Sequence, residues 1–383
     1  MVHVYDLFDY GVMLADRVRT GTYAQALRQT IKPGHVVVDL GCGPGIFALL
    51  ACKFGAGKVY AIDPNDAVQV GKKVAAANGY GDRIEFIQEM STAVTLPEPA
   101  DVIVSALHGW LPLNSGSLLA IMDARQRLLA PGGALIPQCE TLWAAVVEAP
   151  DLYRRYIAPW EDNGFGFDLT AARRLVTNIW CRSKISPKQL LVAPKCWATL
   201  DYTLLKSPNV RGEISWTAVR PGTAHGLAVW FDTLLTPGVG FSNAPGQPEL
   251  IFAHVFFPWP EPVLLAAGDR VSVSLKADLI GEDYFWRWDT AVLDQKDHQR
   301  VKAAFKQSNF VARSLARWRK VAENHVPTLN ADGQVDRFIL AHMNGGNSLG
   351  DLARQVAGQF PHRFAERSEA LRRIRELSEQ YSL

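Results

Sequence analysis

Three glycines and two acids lie close together within residues 35–66, HVVVDLGCGPGIFALLACKFGAGKVYAIDPND. They are, in chain order, Asp39, Gly41, Gly43, Gly45 and Asp63. The first acid lies in a predicted buried strand, and the second directly follows the next predicted strand. Glycines at such a turn let the backbone approach a ligand, and the helix that follows offers unpaired N–H groups. An acid about 20 residues farther on can accept both hydroxyls of a ribose. This spacing indicates a nucleoside-binding loop.

The position of Asp39 indicates which nucleoside this is. A carboxylate before the glycine loop would repel a pyrophosphate, but it can orient an ammonium group, directly or through water. The loop therefore suits a nucleoside that carries an amino acid, which favours S-adenosylmethionine over NAD. The alternative is an ordinary strand–helix–strand unit with a glycine-rich turn.

The elements that position this loop change in type along the chain. Residues 1–137 alternate strand and helix patterns, which predicts N-terminal helices and a Rossmann-like, doubly wound parallel sheet that binds its ligand at the carboxyl ends of the strands. Residues 138–300 show short alternating runs between turn residues, which predicts an antiparallel β-barrel with a helical interruption at 168–176. Residues 301–383 show helical spacing. We therefore predict three domains with these boundaries.

Composition narrows the functional class. The chain has 383 residues, of which 48% are hydrophobic and 20% charged, as expected for a globular protein. A net charge of +2 gives no clear indication of nucleic-acid binding. No apolar run reaches the length of a membrane span, and the N-terminus lacks the basic start of a signal peptide. The five cysteines form no metal-binding pattern, so we expect a reduced, cytoplasmic protein without a metal site.

The N-terminal stretch YGVMLADRVRTGTYAQAL, residues 10–27, contains the pattern M-L-x-D-x-x-R. Together with the order of sheet domain and barrel, it makes residues 5–295 resemble the protein arginine methyltransferases. The resemblance implies S-adenosylmethionine as cofactor, the three glycines wrapping it, and Asp63 on its ribose. It also implies that Arg19 holds the cofactor's carboxylate, which a guanidinium can do through two donors.

The same resemblance makes two further assignments. It places Glu89, Met90 and Ser91 beside the adenine. It also makes residues 164–192 similar to the family's dimerisation arm, which implies a homodimer in which the arm of one subunit docks on the sheet domain of the other. The alternative for the arm is a surface helix without a partner.

The acceptor side departs from the family pattern. The family's substrate loop carries two glutamates, whereas SALHGWLPLNSGS, residues 105–117, has Ala106 and Ser115 at those positions. A guanidinium is always protonated and delocalised, and two carboxylates can hold it and aim one nitrogen at the methyl carbon. The family's T-H-W signature is also changed, and only His254 of it is retained.

Three interpretations compete. In the first, the enzyme methylates a different nitrogen or oxygen nucleophile, on a peptide or a small molecule, with His108 as general base, because histidine can exchange a proton near neutral pH. In the second, guanidine is the acceptor and acids from elsewhere supply the charge, with Asp6, Asp9 and Glu140 as candidates. In the third, the chain binds the cofactor or a partner without catalysis. The intact cofactor half argues against the third.

N-methylation of an arginine-type guanidine, in a peptide, a protein or the free amino acid, is the single activity that we favour. The candidate catalytic residues are His108, Glu140 and His254. Neither the acceptor itself nor the number of methyl groups follows from the sequence.

Residues 329–383 lie outside the part that resembles the methyltransferases, and they read as about three helices. They look like the small winged-helix domains that recognise precursor peptides in peptide-modifying enzymes. The alternative, which we favour, is a helical cap on the barrel or an element that stabilises a dimer.

Overall fold

The structure is a computed structural model that describes residues 5–297, 300–311, 320, 324–364 and 366–382. The chain divides into two compact units, Met1–Ala312 and Arg313–Leu383. The larger unit contains the parallel and antiparallel sheets, and the smaller one is helical.

The first part of the larger unit alternates helices and strands, as the sequence predicts. These elements are α1 (Leu7–Ala15), α2 (Arg17–Thr30), β1 (Val36–Leu40), α3 (Ile46–Lys53), β2 (Lys58–Ile62), α4 (Ala67–Ala77), β3 (Ile84–Ile87), β4 (Ala100–Ser105), α5 (Ser117–Arg127) and β5 (Leu129–Ile136). The strands form one parallel sheet in the order β3-β2-β1-β4-β5. Because the winding direction reverses between β1 and β4, the crevice at their carboxyl ends is where such a sheet binds its ligand.

Aspartate side chains cap the N-termini of the first two helices. Asp6 and Asp9 form a capping box on α1, in which each carboxylate accepts a backbone N–H of the other residue. Asp16 caps α2 by accepting the N–H of Arg19 at 2.9 Å. Its other oxygen accepts the N–H of Ile251 at 2.9 Å, which ties α2 to the antiparallel part of the unit. The carboxylates of Asp6 and Asp9, which the second interpretation offered to the acceptor, therefore serve to cap α1.

The second part of the larger unit is mostly antiparallel. Its elements are β6 (Cys139–Val147), α6 (Pro150–Tyr156), α7 (Thr170–Val176), β7 (Cys181–Ser183), β8 (Lys195–Asp201), β9 (Val210–Thr217), β10 (Gly222–Thr236), β11 (Val239–Ser242), β12 (His254–Leu265), β13 (Arg270–Ile280), β14 (Asp283–Leu293) and β15 (Val301–Ser308). One sheet has the order β7-β12-β10-β6-β8, with β11 paired to β10. The other has the order β15-β14-β13-β9.

Large aromatic side chains fill the space between these two sheets. The ring of Phe257 on β12 lies 5.3 Å from that of Trp286 and 5.1 Å from that of Trp288, both on β14. Trp197 on β8 reaches Trp286 at 5.8 Å. Burying such rings is the main stabilisation of a two-layer β structure. The parallel sheet followed by antiparallel sheets and C-terminal helices confirms the predicted fold class.

The helical pattern expected from residue 301 begins later in the structure. Val301–Ser308 is β15, which pairs with β14 at the edge of its sheet. Most of its side chains are exposed or half-buried, so the alternation that identifies a strand is weak there. Lysines such as Lys302 and Lys306 are common on edge strands, because they discourage pairing with another chain.

The smaller unit contains α8 (Ala331–His342), α9 (Leu349–Gln359) and α10 (Arg367–Tyr381). Its core is formed by one apolar face of each helix and includes Ile339, Val356 and Ile374. Ser348 and Asp351 form the capping box of α9 that the sequence predicts. Residues 324–364 and 366–382 contain no strand.

In the described part of the chain, no helix combines the length and the apolar character that crossing a bilayer needs.

Candidate active site

The glycine loop directly follows β1 and has left-handed backbone at its three glycines. Their φ angles are 74° at Gly41, 52° at Gly43 and 79° at Gly45. A Cβ atom on Gly43 would lie 2.4 Å from the ring of Tyr10, so a side chain there would collide with α1. The first helix therefore covers the loop, and glycine is needed for the close approach.

Asp63 directly follows β2, beside this loop. Its Oδ2 accepts the N–H of Gly43 at 2.8 Å, and its Oδ1 accepts the N–H of Asn65 at 2.8 Å. Burial raises the pKa of Asp63. The carboxylate is thus fixed at the edge of the loop, where the ribose of a nucleoside was predicted.

Arg19 and Asp39 are buried charged residues near the loop, and each has a buried atom without a partner among the described residues. The Oδ2 of Asp39 accepts the N–H of Ala48 at 2.9 Å, while its Oδ1 has no hydrogen bond. Burial raises the pKa of Asp39 to about 7. The guanidinium of Arg19 lies 5.6 Å from the ring centre of Tyr23 and 5.5 Å from that of Phe47, and its Nε has no partner.

Such unpartnered polar atoms are costly in a protein interior unless a ligand completes them. An amino acid moiety would do so, because its carboxylate can bind Arg19 and its ammonium can approach Asp39. Together with Asp63 for the ribose, these residues fit S-adenosylmethionine. The cradle formed by the glycine loop, Arg19, Asp39 and Asp63 is called the cofactor cradle below.

The three residues predicted to border the adenine follow β3, at the same sheet edge. Ser91 is buried, and its carbonyl oxygen accepts a hydrogen bond from Arg127 Nη2 at 2.9 Å. Met90 and Glu89 are exposed. Their role in binding the adenine stays a prediction.

The acceptor loop, residues 106–116, connects β4 with α5. Leu107 packs against the cofactor cradle, since a Cβ atom on Gly41 would lie 2.2 Å from its Cδ2. Trp110 stacks on the guanidinium of Arg182, whose carbon lies 4.1 Å from the ring centre. Ala106 and Ser115 leave the loop without a carboxylate, so any acid at the acceptor must come from another element.

Glu140 on β6 is the acid that the structure brings to this loop. It is fully buried, and its Oε1 is hydrogen bonded to Nε2 of His108. Thr233 donates to Oε1 at 3.1 Å, and the hydroxyl of Tyr202 donates to Oε2. Both oxygens are thus occupied inside the protein. Glu140 is the partner of His108 and offers no free carboxylate to an acceptor.

His108 itself lies in an aromatic enclosure. Its ring is 5.3 Å from that of Phe252, 5.7 Å from that of Phe231 and 6.4 Å from that of Phe241. Its Nδ1 is buried and has no partner among the described residues. One face of the site is therefore formed by antiparallel strands, although the loop itself belongs to the parallel sheet.

A short chain of contacts links the acceptor loop to the cofactor cradle. Tyr23, which stacks on Phe47 at 4.6 Å, donates its hydroxyl to the carbonyl oxygen of Ser105 at 2.9 Å. Ser105 is the last residue of β4, three positions before His108. The helix that carries Arg19 thus also holds the start of the acceptor loop.

His254, at the start of β12, has a different environment. Its Nδ1 accepts the backbone N–H of Ile185 at 2.8 Å, and burial lowers its pKa. The structure thus pairs His108 with Glu140, whereas His254 holds the segment after β7. A catalytic role for His254 stays a prediction.

Sequence reasoning missed Tyr202 and Thr233. Neither lies in a motif. The register of β10 against β6 sets Thr233 opposite Glu140, and the pairing of β8 with β6 brings Tyr202, the residue after β8, to the same carboxylate. Tyr10 lies in the aromatic N-terminal stretch, which was the available indication that it covers the glycine loop.

Two family models match the chain. Residues 20–136 match the model described as ribosomal protein L11 methyltransferase (PrmA). Residues 138–279 match the arginine methyltransferase oligomerization subdomain. The parallel sheet is thus similar to a methyltransferase domain, and the antiparallel sheets to a subdomain described by its role in oligomerisation.

Curated relatives agree with these matches. The chain is 33% identical over 245 residues to "Probable protein arginine N-methyltransferase 6" of Arabidopsis thaliana, covering 62% of this chain and 55% of that protein. It is 30% identical over 241 residues to "Protein arginine N-methyltransferase 1" of Dictyostelium discoideum, covering 61% of this chain and 70% of the relative. The chain therefore spans about half the length of the Arabidopsis protein and more of the Dictyostelium one.

Solved structures share the fold. The Trypanosoma brucei PRMT1 enzyme–prozyme heterotetrameric complex with AdoHcy has a TM-score of 0.71 at 24% identity, over 78% of this chain and 96% of that one. Arabidopsis thaliana protein arginine methyltransferase 10 has a TM-score of 0.70 at 20% identity, over 79% and 97% of the two chains. The predicted family and cofactor are confirmed, and the chain belongs to the protein arginine methyltransferase family of S-adenosylmethionine-dependent enzymes.

Proposed function

We propose that this protein transfers a methyl group from S-adenosylmethionine to a nitrogen of an arginine-type guanidine, in a peptide, a protein or the free amino acid. The observation that carries the proposal is the 30–33% identity to proteins named arginine N-methyltransferases. The cofactor cradle supports it, because its buried charges match a nucleoside that carries an amino acid. A cytoplasmic location belongs to the same proposal.

The residues of the cradle would divide the binding between them. Arg19 would bind the carboxylate of the cofactor, Asp39 its ammonium group and Asp63 its ribose hydroxyls. S-adenosylmethionine supplies an electrophilic methyl group bonded to a sulfonium. The protein contributes alignment of the acceptor nitrogen and exclusion of water, for which α1 over the glycine loop is placed.

Transfer of radiolabelled methyl groups tests the activity. The purified protein is incubated with the labelled cofactor and with free arginine, arginine peptides and matched lysine peptides, and cofactor binding is measured by calorimetry. We expect binding, and label on the arginine acceptors alone. Label on lysine only would favour a different nucleophile, and cofactor binding without any transfer would favour a scaffold.

We also propose that two copies of this chain form a homodimer through the arm at residues 164–192. Phe165 and Phe167 are 80% and 70% exposed, which is unusual for aromatic side chains unless a partner covers them. Arg173 fixes the arm to the antiparallel part by binding Glu161 at 2.5 Å and the carbonyl oxygen of Pro260.

Sedimentation analysis tests the dimer. Replacing Phe165 and Phe167 by serine should convert a dimer to a monomer, because it removes the exposed apolar surface of the arm. Leu264→Ser is the matched control, since Leu264 on β12 is also 70% exposed but lies outside the arm. A wild-type monomer, or an unchanged dimer in the arm variant, would contradict the proposal.

A further inference from the structure

We propose that His108 replaces the missing acidic clamp, with its Nδ1 accepting a hydrogen bond and then a proton from the guanidine acceptor. Glu140 acts behind it as a positioning residue. The inference rests on the proposed function, since it names the group that handles the acceptor in the same reaction. His108 would thus bind the guanidine in place of the two missing glutamates, because Ala106 and Ser115 carry no carboxylate.

The position of His108 supports this role. It lies three residues after the end of β4, and its neighbour Leu107 touches the glycine loop that follows β1. The crevice between β1 and β4 is where a doubly wound sheet binds its ligands. The acceptor loop therefore borders the cofactor cradle at the residue next to His108.

The hydrogen bonds of Glu140 determine the tautomer of the imidazole. An ionised carboxylate can only accept, so Nε2 of His108 must carry the hydrogen in the bond to Oε1. Tyr202 and Thr233 donate to the same carboxylate, which holds it in place. In the neutral imidazole that the proposal requires, the lone pair is then on Nδ1, the ring atom without a partner among the described residues.

The combined charge of His108 and Glu140 suits a cationic acceptor. A neutral imidazole bonded to a buried carboxylate has a net charge of −1, which favours a guanidinium over a neutral group. When the imidazole takes up a proton, the carboxylate stabilises the imidazolium, as an acid behind a histidine does in hydrolases. Glu140 thus acts on the acceptor through His108, although its own oxygens are occupied.

The proposed step balances. A bond forms between the acceptor nitrogen and the methyl carbon as the bond from that carbon to sulfur breaks, and sulfur keeps the electron pair. The proton that the nitrogen loses moves to Nδ1 of His108. A protonated methylguanidine, a neutral thioether and an imidazolium result, and the imidazolium then releases its proton to solvent.

A purely structural histidine would not need this arrangement. Leaving a buried ring nitrogen unpaired costs free energy that an apolar side chain of similar size would avoid. A polar atom that is kept unpaired beside a ligand crevice therefore points to a ligand group that completes it.

Three substitutions test the inference, with kcat and KM for an arginine peptide and calorimetric cofactor affinity as measurements. His108→Gln should lower kcat by about 100-fold, as expected for loss of a general base, with cofactor affinity unchanged. Glu140→Gln should lower kcat by about 10-fold or more with little change in KM, because the carboxylate that orients the imidazole and stabilises the imidazolium is lost. Tyr202→Phe should lower kcat by a few-fold, whereas Tyr284→Phe, which removes another buried phenol bonded to the Pro208 carbonyl, should not.

The pH–rate profile distinguishes a Glu140 that positions His108 for catalysis from a Glu140 that only stabilises the core. In Glu140→Gln the acidic limb of kcat should move to lower pH, because the imidazole loses the negative charge that helps it bind a proton. Among the described residues, the other titratable groups that face His108 and Glu140 are Tyr202 and Tyr23. Tyr284 lies beyond Tyr202, and Arg19 and Asp39 lie beyond Tyr23. The tyrosines titrate far above this limb, since burial raises their pKa.

The outcomes are distinct. If the wild-type protein binds cofactor but labels no arginine acceptor, the proposed function and this inference fail together. If the wild type labels arginine and His108→Gln retains its kcat, the inference alone is overturned. Should His108→Gln fail to fold, an unshifted profile in Glu140→Gln would overturn it.

Discussion

The cofactor cradle and the acceptor loop lie at the same edge of one parallel sheet, but they treat buried charge in different ways. In the cradle, Arg19 and Asp39 each keep a buried atom without a partner among the described residues. At the acceptor loop, Glu140 has both oxygens bonded within the protein, and one ring nitrogen of His108 is left open. Within the described residues, the cradle thus leaves atoms of charged groups open, whereas the acceptor loop leaves open a ring nitrogen of His108.

The physical reason is the cost of removing a charge from water. Separate buried charges of opposite sign are tolerable where a zwitterionic ligand can neutralise both. A lone buried carboxylate has no such ligand and needs internal donors. The comparison teaches that the open atoms of the cradle belong to charged groups on separate residues, whereas on the acceptor side the carboxylate of Glu140 is satisfied by internal donors.

Among substitutions in the cradle, Asp63→Ala should weaken cofactor binding most. It removes the acceptor of two backbone N–H groups and, under the proposed assignment, the acceptor of the ribose hydroxyls. Hydrogen bonds to a charged group contribute about 1.5–3 kcal/mol each, so we expect S-adenosylmethionine affinity to fall by about 100-fold or more in calorimetry. Asp63→Glu should retain most of the affinity, and the exposed Asp66→Ala should retain all of it. Full affinity in Asp63→Ala would remove the ribose assignment.

Gly43→Ala should have the next largest effect. The substitution forces a side chain into left-handed backbone, at about 1–2 kcal/mol, and drives its Cβ toward Tyr10. We expect lower thermal stability and at least tenfold weaker cofactor binding. Gly79→Ala is the matched control, because φ is 74° there but no atom lies within 4 Å of the added Cβ. It should lower stability only, and equal binding losses in the two variants would contradict a cover formed by Tyr10.

Arg19→Lys tests the carboxylate contact. A lysine keeps the charge but loses the planar fork that binds a carboxylate through two donors. Cofactor affinity should fall by roughly tenfold, since about 1.4 kcal/mol corresponds to one such factor. Arg17→Lys, on the exposed side of the same helix, is the control and should bind as the wild type does.

The smallest effect concerns pH. Burial raises the pKa of Asp39 from its ordinary value near 4 to about 7, so the folded protein holds a proton that the unfolded chain releases. The resulting stabilisation is complete below about pH 4 and is lost as pH rises toward 7. Thermal unfolding of Asp39→Asn should therefore depend less on pH than that of the wild type in this window. Identical slopes would indicate that Asp39 is ionised throughout.

The cradle could be predicted because its parts are local. Asp39, the glycines and Asp63 lie in one strand–turn–helix–strand run, where the parallel arrangement of β1 and β2 leaves little freedom in where they meet. The fold class followed from alternating patterns in the same way. Strand β15 was missed because the weak alternation of an edge strand hides the period of two.

The sequence by itself determined the family, the cofactor site and the loss of the two glutamates, since each is written in a short contiguous stretch. Only the tertiary structure decided what occupies the acceptor side. His108 lies 32 positions from Glu140, and Thr233 lies 93 positions from it. These residues meet through the packing of β4 against β5 and the register of β10 on β6. Such contacts depend on how distant strands align, and no local pattern encodes that alignment.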